Sequence, residues 1–148
     1  MANIRGNVQT LLASAARTTS GTSAVLNLPN LMGGGVDGAQ FLLNVSAISA
    51  GTTLDVFLQH SPDAGTTFYD FGHFAQVTST TASGVQAMLW TRRDNDGTGG
   101  TAVIATGDAA LAASKVLNGP IADNYFRVKW TLAGTSYTFA LTGVLDRD

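Results

Sequence analysis

Apolar and polar side chains alternate with a period of two along much of this chain, the repeat of a strand with one dry face and one wet face. In residues 125–132, Phe126, Val128, Trp130 and Leu132 share one face, and Tyr125, Arg127, Lys129 and Thr131 share the other. Ala133-Gly134-Thr135-Ser136 has turn composition, after which Tyr137, Phe139 and Leu141 alternate with Thr138, Ala140 and Thr142. The pattern predicts a hairpin. Residues 54–60 form another strand by the same test, with Leu54, Val56 and Leu58 opposed to Asp55, Phe57 and Gln59. Residues 68–77 follow it across a turn, and residues 41–48 precede it across Ala50-Gly51-Thr52. Weaker alternation marks residues 8–15, 24–28, 85–90 and 103–105. Gly33-Gly34-Gly35 is a flexible tip, and residues 92–100 form a longer polar loop.

Short strands at this spacing predict an all-β fold: a single antiparallel β-sandwich or jelly-roll-like domain of about 8–9 strands. Residues 1–20 read as an N-terminal strand or arm, and residues 21–148 as the sandwich itself. One segment dissents. Residues 108–117 are alanine-rich, open on Asp108 as an N-cap and stop at Asn118-Gly119-Pro120. Local propensity favours a short helix there; an extended lead into the 125 strand is the alternative.

Composition supports the strand reading. Only 12% of residues are charged, against about 25% in an average domain. All ten acidic residues are aspartates, and Lys115 and Lys129 are the only lysines. The long side chains that clothe surface helices are therefore scarce, while the β-branched residues that suit a pleated surface abound. At 45% hydrophobic and a formal charge of −2, the chain has neither the composition of a disordered segment nor the basic face of a general nucleic-acid binder. With no cysteine, disulfides, thiolate metal sites and cysteine nucleophiles are excluded. Met1–Thr10 lacks the apolar core of a signal peptide, and no apolar run approaches the roughly 20 residues of a membrane span. A surface this poor in charge fits a protein covered by neighbours; a monomer kept soluble by hydroxyls is the alternative.

Candidate chemistry is sparse. His60 and His73 flank the turn around Asp63, and Asp70 and Ser61 lie close enough in sequence to draw a metal site or a triad with them. No Gly-x-Ser-x-Gly elbow accompanies them. Asp94-Asn95-Asp96-Gly97 resembles the start of a calcium loop but lacks the closing glutamate. The triple glycine lacks the lysine of a phosphate-binding loop. No catalytic residue, cofactor or metal is therefore expected, and the chain does not read as an enzyme. Arg5, Arg17, Arg92 and Arg93 are the candidate partner contacts.

The most specific local pattern is Ser61-Pro62-Asp63-Ala64-Gly65-Thr66-Thr67-Phe68. It matches the Asp-box, Ser-x-Asp-x-Gly-x-Thr-Trp, with Phe68 in place of tryptophan. Here Ser61, Asp63, Gly65, Thr67 and Phe68 define a structural turn: the aspartate caps backbone N–H groups, the glycine takes a positive φ and the aromatic packs beneath. In sialidase-like propellers the box recurs once per blade; one copy in so short a chain carries over the turn and no activity.

Taken together, the 54–60 strand, the 61–68 turn, an aromatic strand at 69–74, and Asn118-Gly119-Pro120 leading to Phe126-Arg127-Val128-Lys129-Trp130 resemble small β-sandwich decoration (cement) proteins of tailed bacteriophage capsids. The resemblance spans about residues 39–148. It implies a homo-oligomer, with a trimer favoured, that binds the major capsid protein and bridges capsid subunits on the virion surface, without enzyme activity, nucleic acid or membrane. Synthesis would be in the host cytoplasm. Another virion part, such as a tail tube or connector, and a glycan- or receptor-binding module are the alternatives. The last would need exposed aromatics, for which Trp90, Trp130, Tyr69, Tyr125 and Tyr137 are available.

Overall fold

A computed structural model describes residues 7–28, 36–78, 84–92, 108 and 111–146. The described chain is almost entirely β, as the alternation predicts. Its strands in chain order are β1 (Asn7–Arg17), β2 (Gly21–Thr22), β3 (Gly38–His60), β4 (Tyr69–His73), β5 (Val77–Thr78), β6 (Gly84–Thr91), β7 (Lys115–Val116) and β8 (Phe126–Asp146). All eight belong to one sheet, ordered β1-β8-β3-β4-β7, with β2 on β8 and β5 and β6 on β3. Every pairing is antiparallel.

Two expected turns are absent. Ala50-Gly51-Thr52 does not end a strand, and Ala133-Gly134-Thr135-Ser136 does not make a hairpin. β3 and β8 run through both sites and pair with each other from Gly38↔Asp146 to His60↔Phe126. Each small-residue stretch instead forms a corner. The ladder slips between Val45 and Ala47 and again between Gly51 and Thr53, and Gly51 pairs with Gly134. Gly134 has φ 110°, a conformation that favours glycine.

Along β8 the buried positions are Phe126, Val128 and Trp130 before the corner, but Tyr137, Phe139, Leu141 and Leu145 after it. Along β3 they are Phe41, Leu43 and Val45 before, and Leu54, Val56 and Leu58 after. Both strands thus change parity at the corner. The irregular backbone at the corner, two extra residues on the β3 side and the positive φ of Gly134, keeps the apolar side facing inward despite that switch.

The folded sheet closes on itself as two leaves. One leaf is β6, residues 38–45 of β3, residues 137–146 of β8, and β1. The other is β7, β4, residues 53–60 of β3, residues 126–133 of β8, and β2. Their inner faces meet through aromatics. Phe41 stacks on Phe126 at 5.9 Å and meets Phe71 edge-on at 6.1 Å, while Phe71 meets Trp90 at 6.1 Å. At the corner, Trp130 meets Phe139 edge-on at 5.9 Å.

Three further differences have local causes. Residues 113–116 form a turn and strand β7, not a helix; Lys115 and Val116 pair with His73 and Gly72, and that tertiary pairing overrides alanine's helical preference. Residues 109 and 110 lie outside the described residues. The expected 68–77 strand is broken into β4 and β5. The weak 24–28 strand reduces to a single bridge, Leu26↔Phe126, beside β2. Within the proposed N-terminal arm, residues 7–17 are edge strand β1, while Met1 to Gly6 lie outside the described residues. So do residues 103–105 and the triple glycine.

The corner makes a testable demand. Gly134→Val places a β-branched residue at a positive φ and is expected to cost about 1–3 kcal/mol, read as a lower urea midpoint. Among the described residues, Tyr137 Oη is buried without a hydrogen-bond partner. Tyr137→Phe is therefore expected to leave that midpoint unchanged or to raise it.

Candidate functional site

The 61–68 turn is a closed hydrogen-bonded unit. Asp63 Oδ1 accepts from Ser61 Oγ at 2.6 Å and from the Thr67 amide at 2.7 Å. Ser61 Oγ accepts from the Gly65 amide at 2.8 Å. Ala64 and Gly65 adopt φ 59° and 86°. Phe68 is buried beneath the turn, and the Arg127 guanidinium lies 3.6 Å from its ring centroid. The hydrogen bonds from Ser61 and Thr67 hold the Asp63 carboxyl down to about 2.

Beside this turn lies a polar cluster on the outer face of the β4 leaf. Gln59 is fully buried there, although its strand position is on the wet side. Its Nε2 donates to Asp70 Oδ1 at 2.6 Å and to Asp108 Oδ1 at 2.7 Å, and its Oε1 accepts from Arg127 Nε at 2.8 Å. Lys129 Nζ donates to Asp108 Oδ2 at 2.5 Å. Partial burial pushes the Asp108 carboxyl up, but hydrogen bonds from Lys129 and Gln59 and the charges of Lys129 and Arg127 outweigh it and lower its pKa.

Residues 111–117 run as a strap beside β4, meeting this face at Leu111 and continuing within the sheet as edge strand β7. The Leu111 amide donates to Asp70 Oδ2 at 3.0 Å, and the Leu117 amide donates to the Phe71 carbonyl at 2.7 Å. His73 stacks on Phe57 at 3.9 Å, with Nδ1 2.7 Å from the Leu111 carbonyl and Nε2 3.0 Å from Asp55 Oδ1.

The residues that sequence placed near one another do not converge. His60 Nδ1 accepts from the Ala122 amide at 3.0 Å, and burial, partly offset by Asp123, lowers its pKa. Ser61 is committed to the turn, Asp70 to Gln59 and Leu111, and His73 to the strap. Among the described residues, no three His or Asp side chains gather as metal ligands. The Asp94–Gly97 loop lies outside the described residues.

Two of the four candidate arginines are described, and both work inside the domain. Arg17 Nη1 donates to the Phe139 and Ala15 carbonyls at 2.8 and 2.9 Å, and Nη2 donates to Ala13 at 2.9 Å. Its guanidinium sits 5.0 Å from the Trp130 ring and 4.4 Å from the Phe139 ring, so it spans the corner. Arg92 donates to the Val36 carbonyl at 2.8 Å and forms an ion pair with Asp123. Arg5 and Arg93 lie outside the described residues. Trp90, Trp130 and Tyr137 are buried, leaving Tyr69 and Tyr125 as the partly exposed members of the aromatic set. Sequence reasoning missed the Gln59–Asp108–Arg127–Lys129 cluster. Its signal was the charge gathered on the wet sides of two strands, but nothing showed that Asp108 would be brought to them from a distant part of the chain.

The outer face of the β1 leaf is the opposite in character. Its rows across the sheet are Leu89, Gln40, Val144 and Val8; then Ala87, Leu42, Thr142 and Thr10; then Val85, Asn44 and Ala140. None of these side chains is charged. Leu89, Val8 and Val85 are 67%, 65% and 64% exposed. Among the described residues, the leaf ends in β1 and β6, each paired on one side. An open groove of about 430 Å³ between β6 and β7 is lined by His73, Phe74, Gln86, Met88, Leu89 and Lys115.

In comparisons with known proteins, no family model, curated protein or solved structure matches this chain.

Two measurements probe the site. Folding lowers the Asp63 pKa, so its contribution is complete above the unfolded carboxylate value of about 3.9 and is lost as pH falls through about 2. Asp63→Asn is expected to flatten the acid decline of the urea midpoint over that window. His73→Ala is expected to speed amide exchange at Leu117 while leaving exchange in the β3–β8 ladder slow.

Proposed function

We propose that this protein is a structural virion subunit that decorates a bacteriophage capsid and stabilises it by bridging capsid subunits. The observation that carries the proposal is the division of its surface. On the β4 leaf the charged side chains bond to one another around Gln59 and to the Leu111 amide. The three outer rows of the β1 leaf carry apolar, amide and hydroxyl groups and no charge. An exposed apolar face with a polar surround marks a protein interface. The likeness of the 54–77 and 118–142 regions to capsid decoration proteins supplies the kind of partner, a capsid lattice. The mechanism needs no catalysis: each bound copy covers shell surface, and binding to the assembled state favours that state by mass action.

The test mixes purified protein with capsids assembled from the major capsid protein of a tailed bacteriophage. The expected result is co-sedimentation to a saturating copy number and a higher temperature of capsid disruption. Absence of binding, or formation of rings or tubes by the protein alone, would replace this reading with a tail or connector role.

A further inference from the structure

The uncharged face has dimensions that suit one occupant. Its three rows run across four strands. At about 4.8 Å between strands and about 3.4 Å per residue, the patch covers roughly 400 Å². A pleated face exposes more area than its footprint, so two such faces in contact bury about 1,000 Å², the lower bound for a specific interface. Facing itself, the patch meets no like charge and desolvates no ion. Its centre is half-buried Leu42, and the exposed apolar residues Leu89, Val8 and Val85 stand near its margins. Charge begins only beyond it: Asp146 pairs with Gly38 at one end, and Arg17 closes the corner at the other.

We propose that this face is a self-association surface on which two copies of the chain pack sheet against sheet about a two-fold axis. A two-fold contact uses the same patch on both copies, which is the commonest closed symmetry, and aligned sheet packing is its geometry. This rests on reading the β1 leaf as a protein interface, and it deepens the bridging role. A two-fold pair presents every remaining surface in duplicate, so one particle reaches two capsid subunits. It also departs from the trimer that the capsid-protein resemblance implies.

The partner is the chain itself, so the test needs no capsid. Sedimentation velocity and equilibrium on the full chain, at concentrations up to hundreds of micromolar, are expected to show a monomer–dimer equilibrium, since an interface near this lower bound is weak. Leu89→Lys and Val8→Lys, separately and together, put charge on opposite margins of the patch at exposed positions. Each is expected to weaken dimerisation at least tenfold with an unchanged thermal midpoint. Thr135→Lys, at the exposed corner, is the control and is expected to dimerise as wild type does. A wild-type monomer throughout the range, a trimer, or a dimer insensitive to both margin substitutions would overturn the proposal. Capsid binding by a monomer would overturn it while leaving the capsid role standing.

Discussion

The pairing of β3 with β8 is the constraint on which the rest of the molecule depends. Each of these long strands passes through both leaves, and each leaf is completed by shorter strands added to this central pair. The corner is where the pair is most demanding. The apolar positions of both strands switch parity there, so a regular ladder through the corner would carry the apolar side of one leaf out to solvent. Slips in β3 and the positive φ of Gly134 allow both strands to turn while Phe41, Leu43 and Val45 and then Leu54, Val56 and Leu58 remain inside. The aromatic contacts Phe41–Phe126, Phe71–Trp90 and Trp130–Phe139 then join what the corner has brought together.

A chain with so few charges deploys them unevenly. Arg17 is spent on carbonyls and aromatic rings at the corner, and Arg92 on Val36 and Asp123 at the other end. Arg127, Lys129, Asp70 and Asp108 surround one buried glutamine on the β4 leaf. Burying Gln59 without partners would be costly; with its amide donating twice and its carbonyl accepting once, it ties β3, β4, β8 and Asp108 together. The three rows from Val85 to Leu89 on the outer face of the β1 leaf carry none of this charge.

The legible part of the fold was its faces. Alternation in residues 41–45, 54–58, 126–130 and 137–141 identified the inward side chains, because burial on one side of a strand imposes period two whatever the strand pairs with. Connectivity was not legible for the same reason. Ala50-Gly51-Thr52 and Ala133-Gly134-Thr135-Ser136 have the small residues that a hairpin turn and a bulged corner both need, and only long-range pairing separates the two. The 108–117 segment misled through alanine propensity, which is local, while the pairing of Lys115 and Val116 with His73 and Gly72 is not. The Asp63 turn was readable as a unit because its hydrogen bonds close within a few residues. The uncharged face was hidden in plain alternation, since its membership depends on the register between β6, β3, β8 and β1.

That register also fixes how the molecule bears load. Asn7 pairs with Leu145, so the two ends of the described chain leave the sheet side by side. A pull that separates them peels β1 from β8 pair by pair, at low force, from the open end. A pull that slides β3 along β8 instead strains the hydrogen bonds of a ladder running the length of both strands at once. The molecule would therefore resist a load that shears its central ladder far better than one that pulls on its ends.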